Sequence, residues 1–195
     1  MTREPGLRFY TSPEGLPPLV WTAVEAARVA GIDQASRPET GRLLQALAAF
    51  PERGRLGELG TAGGVGSAWL VSGMRSGTSL VTVEIDPDRA AVAADVLGDV
   101  LGVRALHGDW SDAARFAPFD LLFSDGGPKH DPEAPEQLAP LLRPGGIVVL
   151  DDFTPGLSAA EDRTRRIWLE TPGFNTVEVQ LSPETSVLLA VRTAA

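Results

Sequence analysis

The chain has 195 residues and no cysteine, so disulfides and thiolate metal sites are excluded. It has two histidines, too few for a His-based zinc cluster. No apolar run approaches membrane-spanning length, and the first residues, MTREPGLRFY, lack the apolar core of a signal peptide. The expectation is a cytoplasmic protein with no membrane partner. Basic residues are also scarce: 17 Lys and Arg stand against 26 Asp and Glu, a formal net charge of -9. That balance disfavours a nucleic-acid partner. Hydrophobic residues make up 43%, an ordinary globular share, and the length suits one domain with a sizeable core. Residues 1–195 are therefore read as a single domain, with an N-terminal arm and covering helices over 1–50 and a nucleotide-binding core over 55–192.

Glycine is plentiful, and its densest group lies in ELGTAGGVGS, Glu58 to Ser67. Arg55-Leu56-Gly57 reads as a strand leading in. Ala68, Trp69, Leu70, Val71 and Met74 read as a helix leading out. Strand, glycine turn, helix is a geometry that holds a nucleotide-like ligand. Glycines let the backbone come close because no Cβ intervenes, and a helix starting near Val65 aims free N–H groups into the same space. The glycines at 60, 63, 64 and 66 do not supply the dinucleotide spacing G-x-G-x-x-G in any register. Glu58, two residues earlier, would repel a pyrophosphate but suit a cation. S-adenosylmethionine, with its sulfonium and α-ammonium, fits. The alternative is a glycine-rich turn with no ligand.

The remaining chain reads as alternating helices and strands. Residues 1–16 read as an arm or surface segment. Leu19, Val20, Ala23, Val24, Ala27 and Ala30 fall at helical spacing before Gly31. Ser36-Arg37-Pro38-Glu39 reads as a capping box, opening a helix with Leu43, Leu44, Leu47 and Ala48 on one face. SLVTVEID is a strand ending on Glu84, and Asp86-Pro87 caps the next helix. That helix is expected to run to about Leu101, burying Ala93, Val96, Leu97, Val100 and Leu101. Val103 begins a third strand that ends at Gly108-Asp109-Trp110. Phe119 to Ser124 reads as a mainly apolar run, as in a central parallel strand, and it ends in Asp125. A helix over PEAPEQLAPLL then leads through Arg143-Pro144-Gly145-Gly146 to IVVLDD. Ala159 to Glu170 reads as a helix whose arginines 163, 165 and 166 form a solvated face. FNTVEVQL and SVLLAVR close the chain as two strands.

Taken together, these motifs resemble the class I S-adenosylmethionine-dependent methyltransferases. Glu58–Gly64 follows the E-x-G-T-x-x-G form of motif I, and xDLxxxD with LLRPGGxVVxDD follows the metal-dependent small-molecule O-methyltransferases, catechol and caffeoyl-CoA O-methyltransferase-like. The resemblance covers Arg37 to about Phe153. It implies an α/β fold, Rossmann-like and doubly wound, with a seven-stranded, mostly parallel sheet whose last strand is antiparallel. It also implies S-adenosylmethionine held by Glu58, Gly60, Thr61, Gly64, Ser67, Glu84, Asp109, Trp110 and Asp125. In this reading Glu84 accepts both ribose hydroxyls, and Asp109 and Trp110 lie at the adenine. Helices before motif I carry part of the acceptor site and a homodimer contact in that family; here they equally suit covering the sheet.

Asp125, Asp151 and Asp152 all belong to the carboxyl edge of the sheet, where doubly wound folds bind ligands. Adjacent strands are about 4.8 Å apart, so their terminal side chains can share one ion. Three oxygen ligands suit Mg²⁺. The matching family positions are Asp, Asp and Asn. The other reading is that these acids only end strands. The family's catalytic Lys, three residues after the first ligand, is replaced by Pro128, so Lys129 and His130 are the candidate bases. The expected function is methyl transfer to a small-molecule hydroxyl acceptor with Mg²⁺ assistance. The alternatives are a metal-independent methyltransferase and a binding or regulatory protein without the chemistry.

Overall fold

Seven short strands pair into one sheet in the computed structural model of the chain, which describes residues 6–193. They are β1 (Arg55–Leu59), β2 (Ser79–Glu84), β3 (Val103–His107), β4 (Phe119–Ser124), β5 (Leu142–Phe153), β6 (Phe174–Gln180) and β7 (Ser186–Arg192). Their spatial order is β3-β2-β1-β4-β5-β7-β6. All neighbours from β3 to β5 pair in parallel, and β7 is antiparallel to both β5 and β6. The chain builds outward from β1 to β3, then returns to lay β4 on the other side of β1. That reversal leaves a crevice beyond the carboxyl ends of β1 and β4.

Among the described residues, six α-helices cover the two faces: α1 (Pro18–Val29), α2 (Pro38–Ala48), α3 (Val65–Gly73), α4 (Pro87–Leu97), α5 (Ala134–Leu138) and α6 (Arg163–Glu170). The apolar stretches Leu121–Phe123 of β4 and Val148–Leu150 of β5 follow from burial on both faces. Phe123 and Val149 pack with Val24, Leu44 and Trp69 on one side. Their chain neighbours Leu122 and Val148 pack with Leu138 and Trp168 on the other. The Asp86 carboxylate caps α4 through the amides of Asp88 and Arg89 at 2.9 and 3.1 Å, with Pro87 at N1. Among the described residues, no helix is long and apolar enough to cross a membrane.

Several local expectations are corrected. The capping box does not form. Proline at N1 makes Arg37 the N-cap, without a side-chain cap bond, and leaves Ser36 buried one residue earlier. Helix α4 stops at Leu97, so Leu101 stands 96% exposed on the turn before Gly102 rather than in the core. Arg143-Pro144-Gly145-Gly146 lies within β5, where the register with β4 shifts. The N-terminal arm is packed in part: residues 11–15 are exposed, as expected of a surface segment, but the stretch before them is anchored. Leu7 and Tyr10 are buried, and the Tyr10 hydroxyl donates to the Ser36 carbonyl at 2.8 Å while accepting from Trp69 Nε1 at 2.9 Å. Residues 1–5 of that arm lie outside the described residues.

The largest correction concerns α6. It begins at Arg163, and Arg165 is 1% exposed instead of solvated. Its guanidinium grips Glu178 of β6 in bidentate fashion at 2.8 and 3.0 Å and also reaches Asp162 and the Thr154 carbonyl. A buried arginine needs such partners on all sides. Arg165→Ala is therefore expected to destabilise the protein by about 3 kcal/mol, because it strands Glu178 without its countercharge. Replacing both Arg165 and Glu178 by leucine should recover much of that loss. Urea unfolding of the single and double variants checks this; a single variant within about 0.5 kcal/mol of the parent would contradict it.

Candidate functional site

The carbonyl of Leu59, the last residue of β1, accepts from the amides of both Asp125 and Gly126 at 3.1 and 2.8 Å. This draws the end of β4 against the turn after β1. Gly60 has φ +89°, and a Cβ there would lie 2.9 Å from the Gly126 amide nitrogen. Glycine is required on both counts. Beyond these strand ends opens a cavity of about 520 Å³.

Of the sequence-derived positions, Gly60, Glu84, Asp109, Trp110 and Asp125 line this cavity, together with Asp152. Glu84 is 6% exposed, and its two oxygens accept from the amides of Ala62 at 2.7 Å and Asp86 at 3.0 Å. These bonds fix the carboxylate at the end of β2 and leave further lone pairs for a ligand. Asp109 caps the turn that follows β3, accepting from the Ser111 amide and hydroxyl at 3.0 and 2.5 Å. The Ser111 hydroxyl bond, then the amide bond, hold its carboxyl below the usual carboxylate range.

Glu58, Thr61, Gly64 and Ser67 do not reach the cavity. Glu58 is 1% exposed beneath the turn, and one of its oxygens accepts from Ser67 Oγ and, at 2.6 Å, from Thr82 Oγ1. The Thr61 and Thr82 hydroxyls are bonded to each other. Gly64, with φ +87°, forms the left-handed N-cap of α3 and packs toward Ala93. Burial pushes the Glu58 carboxyl up to about 8, against its hydrogen bonds from Ser67 and Thr82. It is then uncharged at neutral pH and serves as internal support, not as a carboxylate facing a cationic ligand.

The acids after β4 and within β5 converge. Ser124 pairs with Leu150 in the sheet, so Asp125 and Asp151 follow as neighbours. Asp152 turns back at φ +75°, a left-handed conformation that Asn and Asp tolerate best among residues with a side chain. One carboxylate oxygen from each of the three acids lies within 4.8 Å of the others. Asp151 is buried, and its Oδ1 accepts from Thr40 Oγ1 at 3.1 Å and from the Asp152 amide at 2.7 Å. Burial raises the carboxyls of Asp125 and Asp151 well above their ordinary value. For Asp125 the Lys129 charge opposes this; for Asp151 the Asp125 charge adds to it. An all-oxygen donor set carrying excess negative charge fits a hard divalent cation.

The two candidate bases separate. Lys129 is buried against the acids, its Nζ 3.2 Å from Asp152 Oδ2 and 3.6 Å from Asp125 Oδ1. His130 is exposed and hydrogen-bonded through Nδ1 to Thr164 Oγ1 of α6 at 3.0 Å, and it does not line the cavity. Sequence reasoning missed Gly6, Gln34, Ala35, Ile85 and Arg89, which also line the cavity. It also missed Thr40, which orients Asp151. Ile85 could have been found as an apolar residue directly after a strand-terminal acid. The others come from loops and helices without a local signature.

The methyltransferase-domain family matches residues 58–153. A Mycobacterium sp. (strain KMS) protein named as an O-methyltransferase is 31% identical over 177 residues, 86% of this chain and 76% of its own length. One from Mycobacterium sp. (strain JLS), also so named, is 34% identical over 137 residues, 65% of this chain; the match spans 62% of that relative. Among solved structures, the O-methyltransferase TomG of Streptomyces achromogenes, in complex with S-adenosylmethionine, superposes with a TM-score of 0.72 at 26% identity. The match covers 97% of this chain and 96% of that one.

The support under the turn has a pH signature. The folded Glu58 carboxyl, at about 8, lies above its ordinary 4.5, so between those values the folded state holds a proton that the unfolded state releases. Its contribution to stability is complete below about pH 4.5 and is lost as pH rises toward 8. Glu58→Gln should keep the hydroxyl bonds and flatten the stability profile between pH 5 and 8 by up to about 1.4 kcal/mol per pH unit. Urea unfolding across that range checks it; parallel profiles for the two proteins would contradict the assignment.

Proposed function

The chain belongs to the class I S-adenosylmethionine-dependent O-methyltransferases, and from that membership we propose that it methylates a hydroxyl of a small molecule with the help of a divalent cation. The observation that carries this reading is that Glu84 and the acid pair Asp125 and Asp152 open into one cavity. They stand at the ends of β2, β4 and β5, with β1 between β2 and β4. Three strand spacings separate β2 from β5, about 14 Å, enough for an extended cofactor with an acceptor at its methyl end.

In this reading Glu84 accepts from the ribose hydroxyls, and its two backbone amides keep it from turning away. Asp109 and Trp110 border the adenine. The Gly60 turn lets the backbone approach the sulfonium end without a side chain in the way. The acceptor lies toward Asp152, in a cavity that Gly6, Gln34 and Ala35 also line. Asp125, Asp151 and Asp152 would hold Mg²⁺, and Thr40 keeps Asp151 oriented. A divalent ion held there would lower the pKa of an acceptor hydroxyl.

The Lys129 Nζ donates in every hydrogen bond described for it. It therefore holds positive charge next to the acceptor oxygen, which favours the oxyanion over the neutral hydroxyl. His130, turned toward α6, has no part in this step. The reaction forms one O–C bond and breaks one S–C bond, with release of the demethylated cofactor and a proton. Positioning of oxygen and methyl carbon supplies most of the acceleration.

Two measurements test the reading. By calorimetry, Glu84→Ala should weaken S-adenosylmethionine binding by about 1.5–3 kcal/mol, the worth of a charged acceptor; unchanged affinity would reject the ribose assignment. By thermal unfolding, Mg²⁺ or Mn²⁺ should raise the melting temperature in a concentration-dependent way. Asp151→Asn should lose most of that rise, whereas Asp131→Asn should keep it. If saturating Mg²⁺ and chelator are both without effect on melting and on turnover, the metal-independent methyltransferase is the better account.

A further inference from the structure

Lys129 is the only lysine in the sequence; the other members of the 17 basic residues are all arginine. That single lysine places its ammonium at the acid cluster. There the side chain is 4% exposed. Its Nζ faces Asp152 Oδ2 at 3.2 Å and Asp125 Oδ1 at 3.6 Å. It also donates to the carbonyls of Asp125 at 3.2 Å and Asp151 at 3.4 Å. All four neighbours are oxygen acceptors, the kind of shell a hard cation takes. The backbone at this point is fixed independently, because the buried Trp168 donates Nε1–H to the Lys129 carbonyl at 3.2 Å. Lysine carries a compact point charge, whereas arginine's wide planar fork demands a different set of acceptors.

We propose that the Lys129 ammonium is a resident counter-cation of the three-carboxylate cluster. It holds Asp125, Asp151 and Asp152 together when no divalent ion is bound, and by its charge it lowers their affinity for one. The inference rests on the reading that the cluster takes a divalent ion, and it adds how that ion is regulated. The three carboxylates together with this ammonium carry a formal charge of about -2, and without it about -3, so its removal strengthens the attraction for a dication. With Lys129 in place the ion is held weakly and exchanges readily. The chain then keeps an assembled site in the absence of metal.

The test is calorimetric titration of the full chain with Mn²⁺ alone. Lys129→Met should bind about tenfold more tightly, or better, than the parent, and Asp151→Asn should abolish binding in either background. In chelator, Lys129→Met should melt below the parent, with Mn²⁺ restoring it. Equal or weaker Mn²⁺ affinity in Lys129→Met overturns the counter-cation role and leaves the divalent site standing. No Mn²⁺ binding by either protein, with S-adenosylmethionine still bound, overturns both. If Lys129→Met does not fold, lysine labelled with ¹³C at Cε reports on the parent directly, since a single lysine gives a single side-chain resonance. That resonance should shift on saturation with Mg²⁺ and stay fixed in Asp151→Asn. A resonance that does not move while calorimetry shows Mg²⁺ bound overturns the inference.

Discussion

One carbonyl, that of Leu59, ties the site to the sheet. By accepting from both Asp125 and Gly126, it locks the end of β4 to the turn after β1 at the point where the strand order reverses. The Gly60 backbone can then pass within contact of Gly126, and the cavity opens beside them. Every functional group is placed relative to that junction. Glu84 lies one strand away on one side, and Asp125 with Asp151 lies at the junction and one strand beyond it. A bulky residue at Gly60 would push the two strand ends apart, and the separation of cofactor and acid cluster would change with them.

Around this junction the protein handles negative charge in three ways. Glu58, enclosed under the turn, is pushed toward its neutral form by burial, against the pull of its hydroxyl donors. Glu84 stays anchored by backbone amides at the rim. The three acids at the far end share a lysine. Each device suits its depth. A fully enclosed carboxylate without a cation is costly to ionise, whereas a carboxylate at the rim can be stabilised by amide dipoles and still offer lone pairs to a ligand.

The strand–turn–helix at Glu58–Ser67, the acid ending β2 and the acids ending β4 and within β5 were legible in the sequence. Hydrophobic runs and strand-terminal carboxylates are local signals, and the topology of parallel sheets puts them on one edge. Which residues of the glycine turn face the ligand was not legible. That depends on the left-handed angles at Gly60, Ala62 and Gly64, and these rotate Thr61 toward Thr82 of the next strand. Arg165 was misread for a related reason. Its helical neighbours suggest a solvated face, but its partner Glu178 sits on β6 and is met only once the sheet has formed. Thr40 carries no signal of its own, since its role exists only through Asp151, 111 residues away.

The antiparallel strand β7 lies between β5 and β6, although β6 precedes it in the chain. During synthesis, then, β6 leaves the ribosome with no strand beside it, and β5, which carries two of the clustered acids, presents a bare edge. Only when Ser186–Arg192 has emerged can β7 slide between them, pairing with both at once and bringing Ser186 to the Phe153 carbonyl and to Glu178. The open edge of the acid-bearing strand is therefore covered last, in a vectorial sense, by residues far from it in the chain. A nascent protein stalled before that strand would expose an unpaired apolar edge suited to chaperone capture or aggregation.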